Sequence, residues 1–187
     1  MTVHKALACV AGTIVTFHRQ MLEQELGATV VRQALENLER EQREEILNAL
    51  PISWVRHVTF EALYLECMKL SGRDLVTVHT EIVRRGVEHR VRNLWKIVVR
   101  LSGANALMAR SPMIYEKSYS IGKMSVTQVG PGDARIVIDE WPDTPEMAIR
   151  GVRVGTQTLL ALAGFKNVQV VCKALPDGAE IRATFQT

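Results

Sequence analysis

Lys123-Met124-Ser125-Val126-Thr127-Gln128-Val129-Gly130-Pro131-Gly132-Asp133-Ala134-Arg135-Ile136-Val137-Ile138-Asp139 is the stretch whose reading decides the fold. Alternating residues on either side of Gly130-Pro131-Gly132-Asp133, a strong turn signal, predict a β-hairpin. Beyond it, Trp141-Pro142 leaves the sheet and Asp143-Thr144-Pro145-Glu146 opens a helix that stops at Gly164. Met147, Gly151, Val154, Gly155, Thr158, Leu159 and Leu162 share one face of that helix. Val168 to Cys172, the turn Leu175-Pro176-Asp177-Gly178, and Ala179 to Phe185 predict a second hairpin. Strands in hairpins beside many helices make the fold class α+β, with several N-terminal and central helices packed on a small antiparallel sheet.

Upstream, Leu7 to Val15 is apolar and largely β-branched, which predicts an N-terminal strand over about 8–16. Gly12 within it marks a bulge or a close approach. Phe17, Met21, Leu22 and Leu26 then form a helical face closed by Gly27. Val30, Val31, Ala34, Leu35 and Leu38 follow at helical spacing. The charged run Glu39 to Glu45 leaves two readings open, one long helix or two that break near Glu41. Ser53 is positioned to N-cap a helix with Val55, Val58, Ala62, Leu65 and Met68 on one stripe, and Trp54 precedes it as a staple. Asp74 caps the next helix, which carries Val78, Ile82, Val83 and Val87. Leu94, Trp95, Ile97, Val98 and Leu101 predict a more buried helix ended by Gly103. A short helix around Ala106 to Met108 and another from Ser111-Pro112 complete the helix-rich part. The whole reads as a single domain over 1–187, helix-rich over 17–118 and sheet-forming over 119–186, with the N-terminal strand added.

The chain's 187 residues are enough to bury a core, and 47% hydrophobic with 23% charged residues is globular rather than disordered composition. The formal net charge of +3 is too small to imply nucleic acid. The charge is segregated, however. Seven acids and three arginines lie between Glu23 and Glu45, and seven basic residues with Glu88 as the one acid lie between Arg84 and Arg110. Arg85, Arg92 and Lys96 fall on one helical face and suit an acidic protein surface, such as the Glu36 to Glu45 segment of a second subunit. No helix-turn-helix pair accompanies them, so nucleic acid is not the expected partner. Cys9, Cys67 and Cys172 are widely spaced and form no CxxC pair, which argues for a reduced, cytoplasmic chain without structural zinc. No run is long enough to span a bilayer.

Catalytic constellations are missing. There is no GxSxG elbow, and Gly130-Pro131-Gly132 joins two strands rather than a strand and a phosphate-binding helix. His57, His79 and His89 are isolated on helices. One imidazole suffices for heme, so each is a candidate axial ligand, although a lone helical histidine is more often structural. Gly151 and Gly155 allow either close packing or room for a flat ligand.

The order of these features carries a resemblance: the N-terminal strand and helix, Leu50-Pro51-Ile52-Ser53-Trp54, Ser111-Pro112-Met113, Tyr119-Ser120-Ile121-Gly122, Val129 to Arg135, and the Gly155 helix ending Ala163-Gly164. Over roughly residues 8–186 the chain resembles an uncharacterised, mainly myxobacterial family related to the heme-NO-binding, 4-vinyl-reductase and TRAPP-type ligand-binding domains. The resemblance implies a compact, often dimeric α+β domain with an apolar cavity that relatives use for heme, aromatic effectors or acyl chains. The Tyr-x-Ser-x-Arg motif of the heme branch is absent. The cysteines of the reductase branch reduce to Cys172, with Ala179 across the last turn. No functional residue carries over.

The expected function is therefore a non-enzymatic ligand-binding or sensor domain that forms a homodimer and holds a small apolar ligand. Its expected pocket lies between the helix Met147 to Leu162 and the helices around Phe60 to Met68 and Leu94 to Val98, lined by Phe60, Tyr64, Trp95, Gly151, Gly155 and Leu159. The alternatives are a protein-interaction adaptor with a fully packed core, bound through Arg85, Arg92 and Lys96, and a heme-based sensor. No metal site and no catalytic residue is expected.

Overall fold

The computed structural model describes residues 7–92 and 103–186. They divide into two compact units: one holds the chain up to Val78 together with Lys117–Ile121, and the other holds His79–Glu116 with everything from Gly122 onward.

In the first unit, β1 (Cys9–Ala11) leads directly into α1 (Gly12–Leu26). The extended reading of residues 8–16 is thus corrected: three residues are strand and the β-branched ones that follow are helical. Burial overrides propensity here, because a helix from Gly12 sends Val15, His18 and Leu22 inward on one face. Thr16 also donates its hydroxyl to the Gly12 carbonyl at 2.8 Å. Gly12 is a close approach, since a Cβ there would lie 1.9 Å from the Leu50 carbonyl oxygen. Next come α2 (Ala28–Asn37) and α3 (Arg40–Leu47), so the acidic run belongs to two helices that break at Leu38–Glu39.

The following element also differs from expectation. Ser53 does not cap a helix. Its hydroxyl accepts from the Leu50 amide and donates to the Leu50 carbonyl, closing a loop. Trp54–Arg56 then forms β2, antiparallel to β1 with Val10 opposite Val55, and Val10 also bridges to Tyr119. The helix α4 begins only at His57 and runs to Ser71. Its buried face is Phe60, Leu63, Tyr64, Cys67 and Met68, while Val58 and Leu65 of the expected stripe are exposed, as is Trp54. Glu45 of α3 anchors the junction, accepting from the Arg56 amide (2.7 Å), Arg56 Nε (2.9 Å) and Thr59 Oγ1 (2.6 Å).

The helix α5 (Leu75–Arg92) begins in the first unit and continues into the second. There, α6 (Gly103–Glu116) is one helix containing Pro112, where two were expected. The hairpin–helix–hairpin is as the sequence predicts: β3 (Lys123–Gly130), β4 (Asp133–Asp139), α7 (Glu146–Leu162), β5 (Lys166–Leu175) and β6 (Gly178–Gln186). These strands form one antiparallel sheet in the order β3-β4-β6-β5, separate from β1-β2, so the N-terminal strand does not extend it. Register places Ala134, Ile136 and Ile138 opposite Ala183, Ile181 and Ala179 on the covered face. The other face carries cross-strand pairs, Arg135 with Glu180 and Arg182 with Asp133. The α7 helix packs on β5 and β6, and α6 packs on β3. Gly178 is obligatory in the last turn, with φ of 150° and a would-be Cβ only 1.8 Å from the Ile138 carbonyl oxygen. Among the described residues, no helix is long and apolar enough to cross a membrane.

Candidate ligand site

The first unit contains a buried cluster of aromatic and imidazole side chains. His18 arrives from α1 and His57, Phe60 and Tyr64 from α4, all nearly inaccessible to solvent. The three α4 residues meet because positions three and four apart share a helix face. His18 Nδ1 and the Tyr64 hydroxyl are 2.7 Å apart. Phe60 packs edge-on against both, with ring centroids 5.3 Å from His18 and 5.4 Å from Tyr64. Burial holds the Tyr64 phenol well above its usual range and pushes the Cys67 thiol up to about 12. It also lowers His57 to about 4. These groups are neutral at neutral pH. The cluster is suited to shape and hydrogen bonding rather than to nucleophilic chemistry.

In the second unit the sequence-derived site residues lie on α7. Gly151, Gly155 and Leu159 are half-buried on one face. Leu159 packs with Leu162, Ala163, Phe165 and Val87 against the buried pair Val91 and Leu107. A Cβ added at Gly155 would meet Val87 Cγ2 at 4.0 Å, an ordinary contact, so neither tight packing nor backbone geometry demands glycine there. Phe60 and Tyr64 thus belong to one unit, and Gly151, Gly155 and Leu159 to the other. Trp95 and Lys96 lie outside the described residues, as does the Arg92 side chain.

Of the basic face, Arg85 is internally paired, together with its neighbour Arg84. Glu81 accepts from Arg84 Nη2 (2.6 Å) and Arg85 Nε (2.8 Å), and Arg84 also pairs with Glu88. The guanidinium hydrogen bonds hold the Glu81 carboxyl down at about 2. Among the described residues, no group of three or more His, Cys, Asp or Glu side chains is placed to hold a metal ion.

His18 was not singled out from the sequence. The available signal was its place at i+3 from Val15 and i−4 from Leu22, inside the apolar stripe of α1, where a histidine needs a partner.

No family model matches the chain, and no curated protein does. Solved structures do. An H-NOX protein described as a Cs H-NOX mutant superposes with a TM-score of 0.69 at 11% identity, covering 95% of this chain and 97% of that one. The Fe(II) unliganded H-NOX protein from K. algicida gives 0.68 at 9% identity with the same coverage. An oxygen-binding H-NOX domain related to soluble guanylate cyclases gives 0.65 at 12% identity, covering 94% and 95%. From its first strand to its last, the chain is similar in fold to H-NOX domains.

Proposed function

We propose that this chain is a non-enzymatic ligand-binding sensor module, and that its ligand is small and apolar. The observation that carries the reading is the end-to-end correspondence with the fold of domains described as binding oxygen. The α7 face supports it, because Gly155 leaves room for a methyl group beside Val87. We place the ligand there, over Gly151, Gly155 and Leu159. Both units act as one module, which forms a homodimer in the cytoplasm. On its sequence resemblance the chain is assigned to the mainly myxobacterial family related to the heme-NO-binding domains.

A heme sensor is the second reading, favoured by neighbours whose descriptions concern heme distortion in the H-NOX family. Heme needs an imidazole or thiolate facing the iron and cations for its propionates. His18, His57 and His79 are buried imidazoles on helices and are the described candidates for an axial ligand, whereas His89 is exposed and Cys67 resists ionisation. Arg84 and Arg85 are engaged by Glu81.

Native mass spectrometry of protein from several hosts, with and without added fatty acids or small aromatics, tests the leading reading. A retained or captured ligand that is lost in Gly155→Trp supports it. Failure to capture any of these compounds overturns it. A Soret band on hemin addition would put the heme reading in its place.

A further inference from the structure

The first unit leaves a run of large apolar side chains in water. Leu50, Ile52, Trp54, Val58 and Leu65 range from 47% exposed at Trp54 to 89% at Ile52. They follow one another along the Leu50–Ser53 loop, β2 and the outer face of α4. On that helix Val58, Ala62 and Leu65 fall on one stripe, opposite the buried Phe60, Leu63, Tyr64 and Cys67. Glu61 and Glu66 border the stripe. Glu66 is tied to Asn37 (3.0 Å) and Lys69 (3.3 Å), which keeps it at the edge.

Such exposures amount to roughly 600 Å² of apolar surface, at the top of what a monomer ordinarily leaves bare and most of the ~800 Å² that one partner contributes to a standard interface. Exposed apolar residues scattered singly need no explanation, but five within sixteen positions of one another do.

We propose that this face is the isologous contact between two copies of the chain. A two-fold axis passing beside Ala62 sets two α4 helices antiparallel. Val58 of one copy then meets Leu65 of the other, twice over, with the small Ala62 at the crossing where backbones must come closest. The stripe matches itself under that operation, and its core holds no charge for a foreign partner to neutralise. Trp54 and Ile52 extend the contact at both ends, and the glutamates form its wet rim. The proposal rests on the homodimer reading above and is independent of the ligand reading, which the absence of added ligand in the test keeps separate.

Sedimentation velocity on the full chain, without added ligand and across a concentration series, tests it. The expected result is a reversible monomer–dimer equilibrium. Ile52→Glu and the double variant Val58→Glu/Leu65→Glu should each raise the dissociation constant by at least about 30-fold, the effect of losing a buried hot spot. Val171→Glu, at an exposed position on β5, should leave it unchanged. Circular dichroism and melting report whether each variant folds, and Ile52 is too exposed for its substitution to disturb the core. A wild-type chain that stays monomeric throughout overturns the proposal and leaves the face to a foreign partner. A dimer that survives both α4 and loop substitutions overturns it as well.

Discussion

Acidification should weaken the first unit through His57 in particular. This imidazole opens α4 with 2% exposure, and burial alone lowers its pKa from about 6.5 to about 4. The folded state therefore keeps the ring neutral at pH values where the unfolded chain protonates it. Its contribution to stability is complete above pH 6.5 and is lost as pH falls through the folded value. At about 1.36 kcal/mol per pH unit, the gap costs about 3 kcal/mol by pH 4 and about 2 kcal/mol near pH 5. Carboxylates weaken in the same direction at the acid end, since Glu45 and Glu81 are both held below their usual range. Those effects are common to wild type and variant, so the comparison is with His57→Leu, an apolar side chain of similar volume. Urea unfolding from neutral pH to pH 4 should show the wild-type stability falling by about 3 kcal/mol relative to that of the variant, with unchanged m-values. A wild-type-minus-variant difference that stays constant over this range would refute a buried neutral imidazole.

Three further perturbations test other parts of the structure. Gly178→Ala should destabilise the second unit by about 2 kcal/mol or more, because its Cβ would collide with the Ile138 carbonyl at a positive φ; denaturant unfolding measures this. Tyr64→Phe removes the hydroxyl from His18 Nδ1 within a sealed core, and should cost about 1–3 kcal/mol in the same assay. Gly155→Ala should fold at least as stably as the wild type, with a gain of about 0.5–1 kcal/mol from helix propensity, because its methyl would meet only Val87 at a relaxed 4.0 Å. A clear loss of stability in that variant would mean that the α7 face is closely packed and has no room for a ligand.

How legible each element was depended on whether its signal was local. The β3–β4 and β5–β6 hairpins alternate with period two about Gly-Pro and Pro-Asp-Gly turns, and α7 sits between clear stop signals, so neighbouring residues decide them. The helix α4 is different. It has two apolar stripes, Val58–Ala62–Leu65 and Phe60–Leu63–Tyr64–Cys67, and periodicity ranks neither above the other. Packing against α1 and α2 selects the second and leaves the first exposed. Ser53 and Trp54 carried a plausible helix-start signal, but pairing with β1 drew the chain into β2 and postponed the helix to His57.

The candidate site followed the same division. Gly151, Gly155 and Leu159 share a helical face by spacing alone, and that much was determined by the sequence. Whether Gly155 is a tight contact or a space depends on how near Val87 comes, a distance set by where α5 packs. The His18–Tyr64 hydrogen bond joins residues 46 positions apart and has no local signature. By itself the sequence determined the α+β class and the order of the C-terminal elements. Tertiary structure decided which of the apolar faces became core and which histidines were sealed inside it, because burial is a property of the neighbours a side chain finds and not of the residues beside it in the chain.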